Sequence, residues 1–136
     1  MAKKSESDII FIDYLGLIKG SGNKSTYDSI SDISRELKLT AMEIDKPIVA
    51  LHSLHRGYAD RQDKTPRLSD LRDSGKIEQD ADTVCFVHRP AYFEPNKCSD
   101  CDLQFLIAKS RHTGGNTRVD LFYDAATQTV KEKYLI

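Results

Sequence analysis

The chain holds no tryptophan, and only four prolines and seven glycines in 136 residues. Collagen-like repeats and Pro/Gly-rich low-complexity chains are therefore excluded. Cysteine is scarce as well. Three thiols, an odd number, give no disulfide framework, and a reducing cytoplasm is the simplest compartment. No apolar run approaches the roughly 18 residues that suggest a membrane span. The opening residues, MAKKSESD, lack the apolar segment of a signal peptide. Charge of one sign is also missing. The net charge of -1 creates no global field toward nucleic acid, so any such binding must come from a local patch. What is present, 39% hydrophobic and 30% charged residues, suits a soluble globular protein rather than a disordered one. The length fits one domain, residues 1–136, with a modest core.

Ile9, Ile10, Phe11 and Ile12 form a short apolar run that reads as a buried parallel strand ending at Asp13. A Gly/Ser/Asn loop follows, from Gly20 to Ser25. Ile30, Ile33, Leu37, Ala41 and Ile44 then recur at helical spacing, which predicts an amphipathic helix over roughly 26–45, closed by Pro47. Residues 48–51 make the next buried strand and complete a βαβ unit. Residues 53–67 read as a mobile surface loop, and 69–78 as a short helix. A third strand is expected over Thr83 to His88. Two more, near 103–110 and 118–123, are joined by a turn at His112 to Gly115 as a hairpin. Residues 129–136 would add an edge strand. There are no internal repeats.

Several residues carry candidate chemistry. Asp13 at a strand end is where nucleotide-binding α/β proteins hold Mg²⁺, although a plain strand-terminating Asp looks the same. Gly20 to Thr26 lies between a strand and a helix and contains Lys24 and Ser25. A phosphate loop requires G-x-x-x-x-G-K-[ST], and Ile18 and Asn23 stand where its glycines belong. A flexible loop with Ser25 or Thr26 as N-cap fits better. Residues 56–72 are rich in cations, which suits either phosphate contacts or a solvated loop. Gly75 allows close backbone approach to a phosphate strand, and Arg72 offers a charge-assisted contact. Lys109 and Arg111 alternate at a strand end and would face one polyphosphate. Cys98 and Cys101 form a lone CxxC without the four ligands zinc prefers, so surface thiols are the default. Cys85, inside a strand, reads as core. His52 and His55 lack an acid partner at fixed spacing and read as loop or edge residues.

The polar segment Leu71 to Asp82, LRDSGKIEQDAD, resembles the LRESGxIEQDAD signature of the DnaB-type replicative helicases. IIFIDYLGLI, ISRELK, PIVALHSLHR and AKSRHTGG resemble further motifs of that family, in family order, from about Ile9 to about Asp124. The resemblance implies an α/β fold, a partial RecA-like P-loop NTPase core with a parallel sheet and a C-terminal antiparallel hairpin. It implies that Asp13 is the Walker B aspartate that positions Mg²⁺. It places Arg72, Asp73 and Gly75 on the loop that grips single-stranded DNA. It makes Lys109 and Arg111 the lysine and arginine finger that reach a neighbour's ATP in trans. ATP, Mg²⁺, single-stranded DNA and other helicase subunits, in a homo-oligomer, are the implied cofactors and partners. No membrane partner is implied.

This chain departs from the family pattern at Ser53 and Gly16, where glutamines stand in SQLNR and DYLQL. Only eight residues precede Ile9, so the Walker A loop and catalytic glutamate are expected to be absent. A gap is then expected in the sheet between the strands near Val49 and Val84. The leading expectation is part of an ATP-dependent hexameric DNA helicase, inactive as an ATPase alone. The alternative is a non-enzymatic, degenerate module that binds single-stranded DNA or docks on a helicase. A third reading is a compact nucleotide-binding protein using Gly20 to Thr26.

Overall fold

The computed structural model describes residues 7–18, 26–71, 75–96 and 98–133. The chain forms two compact units, residues 1–55 with 69–81, and residues 56–68 with 82–136.

In the first unit, strands β1 (Ile10–Ile12) and β2 (Ile48–Ala50) pair in parallel, with Phe11 opposite Val49. Helix α1 (Thr26–Ile44) joins them, as its apolar spacing predicts. Ile30 and Ile33 are buried; Leu39 and Met42, on other faces, are exposed. The helix stops because Asp45 turns to φ 51°, and Lys46 N–H donates to the Ala41 carbonyl at 3.1 Å. That six-residue closure satisfies a carbonyl the helix leaves open. Helix α2 (Gly75–Asp80) packs against α1 through buried Ile77. Leu54 and Leu71 form an isolated antiparallel bridge, and His55 N–H donates to the Asp70 carbonyl at 2.7 Å. The expectation of buried strands fails here. Phe11, Val49 and Leu51 are exposed, because a parallel pair hides its side chains only when both faces are covered.

The second unit is an antiparallel meander in the order β3 (Thr83–His88), β4 (Asp102–Ser110), β5 (Thr117–Asp124), β6 (Thr129–Glu132). Strand β3 alternates strictly. Val84, Phe86 and His88 are buried and Thr83, Cys85 and Val87 are exposed. Cys85 therefore lies on the outer face and is not a core residue. Leu103 and Leu106 of β4 and Ala91 complete the buried apolar set. Gly114 and Gly115 adopt positive φ in the β4–β5 turn, and Asn116 follows at φ 55°.

Residues 56–67 are less loose than a mobile loop. A 3-10 turn spans Arg56–Asp60. Arg61 donates to the Thr65 carbonyl at 2.9 Å, and Lys64 to the Ala59 and Arg61 carbonyls at 2.6 and 2.9 Å. Arg67 pairs with Asp63 at 2.7 Å.

The expected helix near 69–78 is split into a 3-10 turn at Leu68–Asp70 and α2. Strands β2 and β3 belong to separate sheets. No helix among the described residues is long and apolar enough to cross a membrane.

Candidate functional site

Asp13 stands just past the carboxyl end of β1 and is exposed. The strand end around it is fixed by the backbone. Leu51 N–H donates to the Ile12 carbonyl at 2.9 Å, and Leu15 N–H donates to the Leu51 carbonyl at 3.0 Å. The Asp13–Tyr14 peptide is cis. The Tyr14 ring lies 2.6 Å from where a side chain at Gly16 would begin, so a larger residue there requires the ring to move.

Arg72 and Asp73 lie outside the described residues, as do residues 19–25 of the glycine-containing loop. Gly75 is described, and it is the exposed first residue of α2. The helix that follows is held by more than Ile77. Ser34 Oγ of α1 donates to the Asp80 carboxylate at 3.2 Å, and Arg35 reaches Asp80 at 3.6 Å. Asp80 thus ties the end of the acidic signature to α1, a role the sequence did not reveal. Ala81 N–H then closes on the Ile77 carbonyl at 3.0 Å.

Lys109 and Arg111 sit in the second unit, one residue apart at the end of β4. Three constraints set this segment. First, Arg111 N–H donates to the Asp82 carbonyl at 2.9 Å, and Arg111 Nε lies 3.6 Å from the Asp82 carboxylate. Second, Ser110 Oγ accepts from His112 and Thr113 N–H at 3.3 and 3.2 Å, and Gly114 N–H donates to the Ser110 carbonyl at 3.1 Å. Third, a Cβ on Gly115 would stand 3.0 Å from the Ala108 oxygen and 3.0 Å from Lys109 Cα, at φ 72°, so a side chain there would be strained and would press the turn away from the strand. The β3–β4 register slips between Val84 and Cys85, so Ala108, just before Lys109, has no counterpart on β3. Such bulges re-aim a side chain. The Ser110 and Asp82 contacts were not read from the sequence. They follow from register, which local patterns do not give.

The cations of residues 56–67 behave differently. Arg61, Lys64 and Arg67 bind carbonyls and a carboxylate of their own loop, which favours the solvated-loop reading over phosphate contacts for these three. Two features were missed entirely. His88, 7% exposed, stacks on Phe93 with ring centroids 6.0 Å apart, and burial pushes its pKa down while Asp63 opposes the shift. Arg89 lies over the Tyr123 ring, 4.8 Å from its centroid. Asp13 and Gly75 belong to the first unit, Lys109 and Arg111 to the second.

The DnaB-like helicase C terminal domain model matches residues 1–132. The chain is 44% identical over 114 residues to the replicative DNA helicase DnaC of Bacillus subtilis (strain 168), covering 82% of this chain and 25% of that protein. It is 45% identical over 112 residues to a probable plasmid replicative DNA helicase of Chlamydia trachomatis, covering 82% and 23%. Among solved structures, an ATPase domain superposes with a TM-score of 0.86 at 40% identity, over 91% of this chain and 44% of that one. A DnaB-like replicative helicase, described with its interactions with primase, superposes at 0.81 and 42% identity, over 86% and 29%. The chain thus spans about a quarter of the length of the curated relatives it matches. The family match over residues 1–132, together with the parallel pair and the antiparallel sheet, shows that the chain belongs to the DnaB-like helicase C-terminal domain family and carries part of its RecA-like α/β fold.

Proposed function

We propose that this chain supplies the strand-gripping and neighbour-contacting part of an ATP-dependent hexameric replicative DNA helicase. The observation that carries the reading is the pinned Lys109–Arg111 segment. The backbone that carries these two cations is held at the end of β4 by the Arg111–Asp82 hydrogen bond and by the glycine turn, which supports presenting them to a polyphosphate. They would stabilise charge on the γ-phosphate of a neighbouring subunit's ATP, acting in trans. Arg72, Asp73 and Gly75 would hold the backbone of single-stranded DNA, and α2, which Gly75 opens, is anchored to α1 through Asp80. Such contacts carry no direct base readout. The two compact units would serve together as one part of a RecA-like core.

Asp13 would hold Mg²⁺ together with nucleotide phosphate oxygens. No group of three or more His, Cys, Asp or Glu residues able to hold a metal occurs among the described residues. Mg²⁺ needs no such cage, since it usually binds through one or two carboxylates, waters and substrate phosphates. An exposed aspartate at a strand end fits that demand, and the ion would neutralise phosphate charge there. The 136 residues contain no G-x-x-x-x-G-K-[ST] phosphate loop. The chain by itself is therefore expected not to hydrolyse ATP, and turnover lost on Asp13→Ala would overturn that.

Fluorescence anisotropy of labelled single-stranded DNA, titrated with the chain and stepped in salt, tests the grip. Binding should weaken with salt by a slope of about -0.7 per phosphate contact, and Arg72→Ala should weaken it further. No binding by a folded chain would count against a grip that acts outside a ring. A second reading, a non-enzymatic module docking on a helicase, draws on Ser53 and on Gly16, where the Tyr14 ring fills the space of a larger side chain. Co-purification with an intact helicase, without stimulation of its ATPase, would favour it.

A further inference from the structure

Beyond the helicase motifs, the chain carries two thiols on one reversal of the backbone. Cys98 and Cys101 precede β4 and are half-buried and reduced. The chain bends at Cys98 and turns through Asp100 and Cys101. Asp102 N–H donates to the Ser99 carbonyl at 2.9 Å, and Cys98 N–H donates to the Glu94 carbonyl at 3.1 Å. Ser99 N–H donates to the Asp102 carboxylate at 3.2 Å, while Ser99 Oγ accepts from Cys101 N–H at 3.3 Å. The hydrogen-bonded turn runs from Ser99 to Asp102, so Cys98 stands just before it and Cys101 within it, three residues apart on one reversal of the chain. A disulfide would draw their Cα atoms to about 4.4–6.8 Å. Zinc is not the better use of this pair, because the described residues offer it no third ligand in a group.

The reversal is also wired to the sheet. Arg89 Nη2 donates to the Asp100 carbonyl at 3.1 Å, and Tyr123 N–H donates to the Cys101 carbonyl at 2.8 Å. Arg89 and Tyr123 are the two residues that stack on each other. Two successive carbonyls of the dithiol loop therefore hold the two halves of one cation–π pair. A change in the torsions of residues 98–101 must reach both.

We propose that Cys98 and Cys101 form a reversible dithiol–disulfide site whose closure shifts the Arg89–Tyr123 stack. The oxidant is a low-molecular-weight disulfide such as oxidised glutathione. One cysteine thiolate attacks it, forming a mixed disulfide and expelling one glutathione thiolate. The second cysteine thiolate attacks the protein sulfur of that mixed disulfide and expels the other. The two cysteines lose two electrons and two protons, and the oxidant leaves as two thiols. Cys85 stays out of this exchange. It lies on the exposed face of β3, and partial desolvation of its sulfur raises its thiol pKa, away from the reactive thiolate form.

The test is equilibration of the full chain in oxidised and reduced glutathione, followed by alkylation and intact mass. Alkylatable thiols should fall from three to one. The mass should drop by about 2 Da before alkylation, the span 98–101 should be cross-linked, and dithiothreitol should reverse it. Cys98→Ser and Cys101→Ser should each stop at a glutathione adduct. Stable glutathione adducts on both cysteines of the unaltered chain, or linkage only between chains, would overturn the site. Amide and guanidinium NMR signals read the coupling. The Arg89 Nε–H and Tyr123 amide signals should move on oxidation of the unaltered chain and stay in place in Cys98→Ser treated alike. A closed disulfide with both signals unmoved would overturn the shift of the stack.

Discussion

The two compact units, across the described residues, bury equal sets of apolar side chains and differ in what they leave uncovered. Leu15, Ile30, Ile33, Leu71 and Ile77 are buried in the first; Val84, Phe86, Ala91, Leu103 and Leu106 are buried in the second. Yet among the described residues nine large apolar side chains stay exposed in the first, with Phe11 at 70%, against four in the second. Strand geometry explains the part of the contrast that falls on the strands, Phe11 and Val49 against β3. An antiparallel meander can give one face to its core and the other to water, and β3 does so residue by residue. A two-stranded parallel pair has no such division of faces, because parallel strands belong to sheets covered on both sides.

The comparison breaks most visibly at Phe86. Phe86→Ala should cost about 3–5 kcal/mol in urea unfolding. Amide signals of β3 to β5 should disappear at lower urea while those of α1 persist. If α1 melts at the same point, the two units unfold as one and the contrast fails.

A pH step sharpens the comparison further. The buried imidazole of His88 titrates below its ordinary 6.5, with Asp63 opposing the shift. A depressed histidine contributes stability that is present above about pH 6.5 and lost as pH falls through that value toward the lower folded one. The second unit should therefore melt at lower urea at pH 5.5 than at pH 7.5, by less than the Phe86 truncation. His88→Gln should remove most of that difference. A pH effect confined to α1 would assign the titration elsewhere.

The smallest effect is expected at Phe11. Phe11→Ser should change stability by no more than about 0.5 kcal/mol, as at other exposed positions away from special features. A larger loss would show that something covers this face in solution.

Much of the fold was legible because periodicity reports locally. The stripe Ile30, Ile33, Leu37, Ala41, Ile44 gave α1 to within a residue of its observed end at Ile44. The apolar run in Thr83 to His88 gave β3 with its observed bounds, and the Gly-Gly turn gave the β4–β5 hairpin. Burial was less legible. The apolar run at Ile9 to Ile12 promised a covered strand, and Cys85 promised a core thiol. Both faces are open among the described residues, because cover depends on contacts distant in sequence that a local pattern does not report.

The candidate site divides the same way. Residue types and motif order singled out Asp13, Gly75, Lys109 and Arg111, and with them the family, since those are properties of the string itself. The tertiary structure alone decided what surrounds them. Strand register brought Asp82 to Arg111, helix packing brought Asp80 to Ser34, and the loop over residues 56–67 turned its own cations inward. Each of these is a contact that costs chain entropy to close and is fixed only once neighbouring elements have docked. Sequence thus determined which residues are available for chemistry, and packing determined which of them are held ready for it.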